Sequence, residues 1–229
     1  MTIAENVAHV QEEIELAAKR CGRNGREITL VAASKMNDAA RVREAIDAGI
    51  TVCGENRVQE MTEKNAQGAY EGVHLHFIGR LQRNKVKQVV GIAELIHGVD
   101  TLALLQEIGR RATEKGIVQD VLLEVNIGRE NTKAGFAPED VPAVLESGEM
   151  ISGIRIRGLM AIPPIVASEA EILPYFSAMQ QLFIDNGQKK YDNSNMDFLS
   201  MGMSNDFPQA IACGSNMVRI GTKIFGPRN

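Results

Sequence analysis

Short apolar runs alternate along this chain with longer segments in which apolar residues recur every three or four positions. Residues 28–35 contain the clearest run, an unbroken series of apolar and β-branched residues followed by Ser34 and Lys35. Such a run is typical of a strand that is buried on both faces, as in a parallel sheet. Residues 3–20 precede it with apolar positions at helical spacing, which predicts an amphipathic helix before the first strand.

The strand–helix unit recurs over the rest of the chain. The predicted strands are residues 28–35, 50–54, 74–79, 95–99, 121–126, 154–161, 198–202 and 217–221. The predicted helices are residues 3–20, 39–48, 55–69, 84–90, 101–115, 138–147, 169–185 and 206–213. This spacing favours a closed parallel (β/α)8 TIM barrel over a doubly wound open sheet, because the sequence has no glycine-rich dinucleotide fingerprint. We therefore expect an α/β fold with an extra N-terminal helix, in which residues 1–229 form a single domain.

Composition narrows the class of protein. The chain is 44% hydrophobic, which is ample for a large core, and its formal net charge is −4. This acidic balance and the lack of a dense basic run argue against a nucleic-acid interface. The cysteines are scattered, which fits a reducing compartment and predicts no zinc site. No apolar run is long enough to span a membrane and the acidic first helix is unlike a signal peptide, so we expect a soluble, cytoplasmic protein.

Lys35 is the first candidate for chemistry, because it lies at the C-terminal end of the first predicted strand. In a barrel of this kind the C-terminal ends of the strands form one mouth, where ligands bind. Burial lowers the pKa of an amine, so a lysine at this position could be a nucleophile towards an aldehyde. The alternative is a lysine that has left the strand and extends its amine into solvent.

The loops after the last two strands contain a second set of candidates. Residues 202–206 offer small residues, the Ser204 hydroxyl and the start of a helix, and the next loop adds Arg219, Gly221 and Thr222. Backbone N–H groups beside a hydroxyl at a helix start are well suited to a phosphate dianion. Each residue also has a plainer interpretation: Ser204 as a helix cap, Gly221 as a turn residue and Arg219 in a structural ion pair.

Two further polar residues belong to the second and third units. Asn56 follows the second strand and could face a ligand or cap its own helix. His76 lies inside the third strand, where a satisfied core histidine is more common than a general base. A lysine at the end of the first strand and a phosphate-binding pair of loops after the last two strands favour a ligand with both an aldehyde and a phosphate. Pyridoxal 5′-phosphate (PLP) is the obvious candidate.

Several segments resemble one known protein family. They are AASK at 32–35, GENRVQE at 54–60, HFIGRLQRNK at 76–85, VNIGRENTKAGF at 125–136, RGLMAIPP at 157–164, LSMGMSNDF at 199–207 and NMVRIGTKIFG at 216–226. Together they resemble the pyridoxal phosphate homeostasis proteins, the YggS/PROSC family, over nearly the whole chain. The sequence departs from the family pattern at Met36, where threonine is frequent, and at Arg80, where histidine is frequent.

The resemblance implies a fold, a cofactor and a role. The fold would be the barrel domain of alanine racemase without that enzyme's second, β-rich domain, which makes a monomer plausible. Lys35 would form an internal aldimine with PLP, Arg219 would face the pyridine nitrogen and Asn56 would lie near the ring. The residues that would hold the phosphate are Ser204, Gly221 and Thr222. The family is known for PLP homeostasis without an established reaction, and apo forms of PLP-dependent enzymes would be possible partners.

Catalysis is a separate question. A guanidinium beside the pyridine nitrogen disfavours protonation of that nitrogen, so the ring would be a weaker electron sink. Racemisation would need a second acid/base group, and His76 is the remaining candidate because no tyrosine is predicted at a strand end. A homeostasis protein is our first hypothesis. A PLP-dependent amino-acid racemase of limited activity is the second, and a Schiff-base aldolase acting on a phosphorylated sugar is the third.

Overall fold

A computed structural model of the chain describes residues 1–130, 132–166 and 168–227, and its eight parallel strands close into a barrel in chain order. The strands are β1 Thr29–Ala33, β2 Val52–Glu55, β3 His74–Phe77, β4 Leu95–Val99, β5 Gln119–Val125, β6 Ile154–Ala161, β7 Ser194–Ser200 and β8 Met217–Ile220. The last strand closes the barrel by pairing with β1. The predicted (β/α)8 barrel is therefore confirmed. Asn131, in the quoted segment 125–136, lies outside the described residues.

Helices surround the barrel, and the extra N-terminal helix is present as predicted. The helices are α1 Ile3–Arg20, α2 Ala39–Asp47, α3 Val58–Ala66, α4 Leu102–Glu114, α5 Val141–Gly148, α6 Glu169–Gly187, α7 Phe207–Ala212 and α8 Thr222–Phe225, with 3-10 helices at Gly25–Glu27, Arg83–Gln88 and Pro138–Asp140. A capping box between Thr2 and Glu5 starts α1. This helix packs against α7 and α8, so the first and last helices lie together. No helix in the described part of the chain is long and apolar enough to cross a membrane.

Some element boundaries differ from the prediction. Glu55, expected at the start of a helix, is instead the last residue of β2, where it is buried and pairs with Phe77. The seventh strand begins at Ser194 and not at residue 198, because its first residues are mostly polar and form no apolar run. Residues 84–90 contain part of a 3-10 helix, and the prediction misses α8, which is too short to show a helical period.

Two groups of apolar side chains form the core. The larger group lies between the strands and the surrounding helices. The smaller group fills the barrel itself and consists of Val31, Val52, Leu95, Leu122, Met160 and Met217. These side chains come from six different strands, so the barrel interior is a packed layer that supports the strand ends and not an open channel.

A chain of hydrogen bonds also crosses the barrel interior. His76 Nδ1 lies 3.1 Å from His97 Nε2, and His97 Nδ1 lies 3.1 Å from the Ser200 hydroxyl. Burial lowers the pKa of His76 to about 4, and the charge of His74 adds to the effect. Burial likewise holds the pKa of His97 well below its ordinary value. Both imidazoles are therefore neutral at pH 7 and can take part in the chain as donor and acceptor.

Gly158 in β6 shows how closely neighbouring strands approach. Its φ is +141°, and a Cβ atom there would lie 2.0 Å from the Phe198 carbonyl oxygen of β7. Gly22, just after α1, also has a positive φ, of +70°, but no described atom lies within 4 Å of a Cβ built there. An alanine at Gly158 would therefore meet both a backbone clash and an unfavourable φ, whereas an alanine at Gly22 would meet only the unfavourable φ.

We expect Gly158→Ala to lower the free energy of unfolding by about 3 kcal/mol, because it adds a clash to an unfavourable φ. Gly22→Ala is the matched control and should lower it by about 1 kcal/mol through the conformation alone. Urea denaturation of the two variants and the wild type measures both effects. Equal losses in the two variants would show that β6 and β7 can separate at no cost.

The buried histidines make stability depend on pH. An unfolded histidine takes up a proton near pH 6.5, whereas folded His76 takes one up only near pH 4. Between these values the unfolded state binds more protons, so stability present above pH 6.5 is lost as the pH falls towards 4. Between pH 7 and pH 5, we expect the free energy of unfolding of His76→Gln to fall by about 2 kcal/mol less than that of the wild type. Urea denaturation at the two pH values measures this difference.

The control for this measurement is Gln59→Ala, because Gln59 lies exposed on α3 and has no titratable group. This variant should keep the pH dependence of the wild type. If His76→Gln also kept it, the protons that destabilise the fold would be taken up by other groups.

Candidate functional site

The C-terminal ends of the strands enclose a cavity of about 900 Å³. All of the residues predicted for the site line it, namely Lys35, Asn56, Ser204, Arg219, Gly221 and Thr222. They come from the first two strand–helix units and from the last two, which are far apart in the sequence. Closure of the parallel barrel therefore brings the predicted residues to one place.

Lys35 lies two residues beyond the end of β1. Its side chain is half-buried and lines the cavity, which favours a role towards a ligand over an amine extended into solvent. The Asn37 side-chain amide donates to the Lys35 carbonyl at 3.0 Å, and Asn37 also lines the cavity. The backbone that carries the lysine is therefore held from within the site.

Asn56 lies where β2 and β3 end together. A Cβ atom at Gly79, just beyond β3, would lie 2.2 Å from the Asn56 carbonyl oxygen, so only glycine allows this approach. The N-cap position of α3 is Arg57, without a side-chain cap, so Asn56 does not cap this helix. Its side-chain Oδ1 is buried and has no hydrogen-bond partner among the described residues. Such an atom is an acceptor available to a ligand.

The loop after β7 and the start of α8 supply the hydroxyl groups. Ser204 is half-buried, and because Asp206 occupies the N-cap position of α7, Ser204 does not cap that helix. A Cβ at Gly221 would lie 3.2 Å from the Ala33 carbonyl oxygen, so glycine lets this loop approach β1 closely. Thr222 begins α8 and is exposed. The two hydroxyls and the N–H groups of these turns can donate to a phosphate.

Arg219 is the buried cation of the site. Its Nη1 donates to the Ser200 carbonyl at 2.8 Å and to the Ser200 hydroxyl at 2.6 Å, and its Nη2 donates to the Ala161 carbonyl at 2.9 Å. Burial lowers the pKa of Arg219 to about 10, although the charges of Glu124 and Asp206 act in the opposite direction. The guanidinium is therefore charged at pH 7. Because these hydrogen bonds go to neutral oxygens, they do not support the alternative of a structural ion pair.

The histidine chain of the barrel interior ends at this cation. The Ser200 hydroxyl that accepts from Arg219 is also bonded to His97, which in turn is bonded to His76. His76 is not among the described residues that line the cavity. Its position supports a core histidine satisfied by its neighbours and argues against a second acid/base group.

Glu124 and Gln209 are among the polar cavity residues that were not predicted from the sequence. Burial and the charge of Asp100 raise the pKa of Glu124 in β5, although the nearby Arg219 and Arg80 oppose this. Gln209 in α7 has a buried Oε1 with no partner in the part of the chain that the structure describes. A carboxylate inside the apolar run of β5 was a signal for Glu124, whereas no local pattern points to Gln209.

The cavity thus combines an amine, a buried guanidinium, hydroxyl groups beside a close-packed glycine, and two amide oxygens with no donor among the described residues. These groups suit a ligand with an aldehyde, an accepting nitrogen and a phosphate. Among the described residues no group of three or more His, Cys, Asp and Glu side chains could hold a metal ion.

Comparisons with known proteins agree with this geometry. Residues 6–229 match the family model described as alanine racemase, N-terminal domain. The chain is 42% identical over 228 residues to the pyridoxal phosphate homeostasis protein of Aquifex aeolicus, covering 100% of this chain and 99% of that protein. PipY of Synechococcus elongatus, solved with PLP bound, is 33% identical, with a TM-score of 0.85 over 98% of this chain and 100% of PipY.

A more distant likeness concerns the fold alone. Alanine racemase of Clostridium difficile is 16% identical, with a TM-score of 0.69 over 98% of this chain and 60% of the racemase. The sequence expectation of a racemase-like barrel is confirmed by this likeness and by the family match. On the full-length identity to its relatives, the chain belongs to the family of pyridoxal phosphate homeostasis proteins.

Proposed function

We propose that residues 1–229 form one domain that binds PLP covalently through Lys35 and takes part in PLP homeostasis in the cytoplasm. The observation that carries the proposal is that Lys35 lines the same cavity as Ser204, Gly221 and Thr222. Condensation of the lysine amine with the aldehyde of PLP forms a Schiff base and releases one water molecule. The PLP bound to PipY and the name of the Aquifex relative support this assignment.

The other groups of the cavity match the other groups of PLP. Arg219 is a charged donor suited to the pyridine nitrogen, which is an acceptor. The Asn56 Oδ1, a buried acceptor without a described partner, is available to a donor group of the ligand. A phosphorylated sugar has an aldehyde and a phosphate but no ring nitrogen for Arg219. The full set of groups therefore supports PLP over the aldolase hypothesis.

Two features of the cavity favour holding and releasing PLP over transforming a substrate. A charged Arg219 at the ring nitrogen disfavours its protonation and so weakens the cofactor as an electron sink. The described residues that line the cavity include no histidine or tyrosine, so a second acid/base group would have to be a carboxyl group such as that of Glu124. We propose a monomer that passes PLP to apo forms of PLP-dependent enzymes, and the exposed Thr222 puts the phosphate end of the cavity near the surface.

The covalent bond is tested by the near-visible absorption spectrum. After incubation with PLP, the wild type should show a Schiff-base band that Lys35→Ala lacks, because the variant has no amine at the cavity. Lys19→Ala is the control and should keep the band, because Lys19 is a surface lysine in α1. A band in Lys35→Ala, or none in the wild type, would show that Lys35 is not the anchor.

The same samples distinguish a homeostasis protein from an enzyme. Common amino acids added in heavy water should not exchange their α-hydrogen at a rate that depends on Lys35. Robust Lys35-dependent exchange, racemisation, transamination or decarboxylation would refute the homeostasis assignment and select the racemase-like hypothesis.

The phosphate-binding groups are tested by comparing PLP with pyridoxal, which lacks the phosphate. We expect Ser204→Ala and Thr222→Ala each to weaken PLP binding about tenfold, since a hydrogen bond to a charged group contributes about 1.5–3 kcal/mol. Pyridoxal binding should change little in either variant. Ser147→Ala, in α5 and away from the cavity, is the control. If equilibrium dialysis showed an equal loss of affinity for PLP and for pyridoxal, the hydroxyls would not contact the phosphate.

A further inference from the structure

Lys35 occupies a turn with an unfavourable backbone conformation. The Asn37 N–H donates to the Ser34 carbonyl at 3.2 Å, which closes a four-residue turn with Lys35 and Met36 at its centre. Met36 has a φ of +61°, in the left-handed region. Turns with a positive φ at the third position favour glycine or asparagine there, and another residue costs about 1–2 kcal/mol. The Met36 side chain is 55% exposed, so packing does not offset this cost.

Side chains of α3 bind this turn on both sides of Lys35. On the N-terminal side, Lys64 Nζ donates to the Ser34 carbonyl at 2.9 Å. On the C-terminal side, the Met36 N–H donates to Glu60 Oε2 at 2.7 Å. Because Glu60 and Lys64 belong to the same helix, one rigid element holds both residues that adjoin Lys35.

The Lys64 ammonium links these contacts into one cluster. It also donates to Glu55 Oε2 at 2.6 Å and to Glu60 Oε2 at 3.2 Å. An ammonium has three N–H donors, so the Ser34 carbonyl and the two carboxylates use all of them. Although partial burial acts to raise it, the bonds from the Met36 N–H and Lys64 hold the pKa of Glu60 below its ordinary value, so this carboxylate is ionised at pH 7.

We propose that Glu55, Glu60 and Lys64, the turn-holding cluster, are positioning residues that keep residues 34–37 in the strained conformation presenting Lys35 to PLP. The inference rests on the proposed function and extends it to residues that do not line the cavity. A buried ion pair is by itself weak evidence for a stabilising role. In this cluster, however, two of the hydrogen bonds end on the backbone of the turn itself.

The test uses Glu60→Ala, which removes the acceptor of the Met36 N–H. In this variant Lys64 keeps its hydrogen bonds to Glu55 and to the Ser34 carbonyl, so no buried charge is left unpaired. When the PLP-free protein is mixed with PLP, we expect the Schiff-base band to develop about tenfold more slowly than in the wild type, because backbone strain of this kind is on the order of 1–3 kcal/mol. Circular dichroism establishes that the variant is folded.

Rescue separates positioning of the turn from a general loss of structure. Glycine adopts a positive φ without strain, so Met36→Gly combined with Glu60→Ala should react within about twofold of Met36→Gly alone. Arg57→Ala is the matched control. The exposed Arg57 contacts the other oxygen of Glu60, Oε1, at 3.3 Å and makes no bond to the turn, so its removal should leave the rate unchanged.

A wild-type rate in Glu60→Ala, or a slow rate that Met36→Gly does not restore, would overturn the proposal. If Glu60→Ala does not fold, Glu60→Gln takes its place. A neutral acceptor makes a hydrogen bond about half as strong as a charged one, so a rate about threefold slower is expected and an unchanged rate again contradicts the proposal.

Amide hydrogen exchange at Met36 in PLP-free protein provides a readout that does not depend on the cofactor. Exchange at this N–H should be faster in Glu60→Ala than in the wild type and Arg57→Ala, because its acceptor is missing. Equal exchange in all three proteins would refute the role of the cluster. If the wild type forms no band with PLP, the proposed function fails, and the exchange measurement still decides whether the cluster holds the turn.

Discussion

Closure of the barrel between β8 and β1 is the constraint on which the site depends. In this pairing Val31 lies opposite Arg219, so the first and last units of the chain end at the same mouth. Lys35 and Gly221 consequently line one cavity although most of the sequence separates them. The packing of α1 against α7 and α8 covers the same junction from outside and joins the two ends of the chain.

Burial of Arg219 imposes a second requirement on the barrel interior. A buried cation without hydrogen-bond acceptors would cost several kcal/mol, and here oxygens of Ala161 and Ser200 accept from it. Because these oxygens are neutral, and the imidazoles of His97 and His76 behind Ser200 are neutral as well, the groups that bind the guanidinium do not neutralise its charge. Ionic neighbours in the same positions would satisfy the arginine but neutralise the site.

The opposite arrangement surrounds Lys35. There, the side chains of Glu60 and Lys64 in α3 bind backbone groups of a turn, and they fix its conformation without lining the cavity. In both halves of the site, residues that do not line the cavity help to hold those that are suited to contact a ligand. The segment 54–60 contains residues of both kinds. Asn56 lines the cavity, whereas Glu55 and Glu60 do not line it and instead accept hydrogen bonds from Lys64.

The sequence by itself determined the barrel, because strand and helix periodicity is a local property, and β4, β6 and α1 match their predicted bounds. It also determined which residues gather at the cavity, since strand ends of a parallel barrel share one mouth. Only the tertiary structure decided what those residues contact. The neutral partners of Arg219 and the positive φ of Met36 depend on approaches between distant segments. So do the buried amide oxygens of Asn56 and Gln209, which have no partner in the part of the chain that the structure describes. No periodicity or spacing along the chain records such distances.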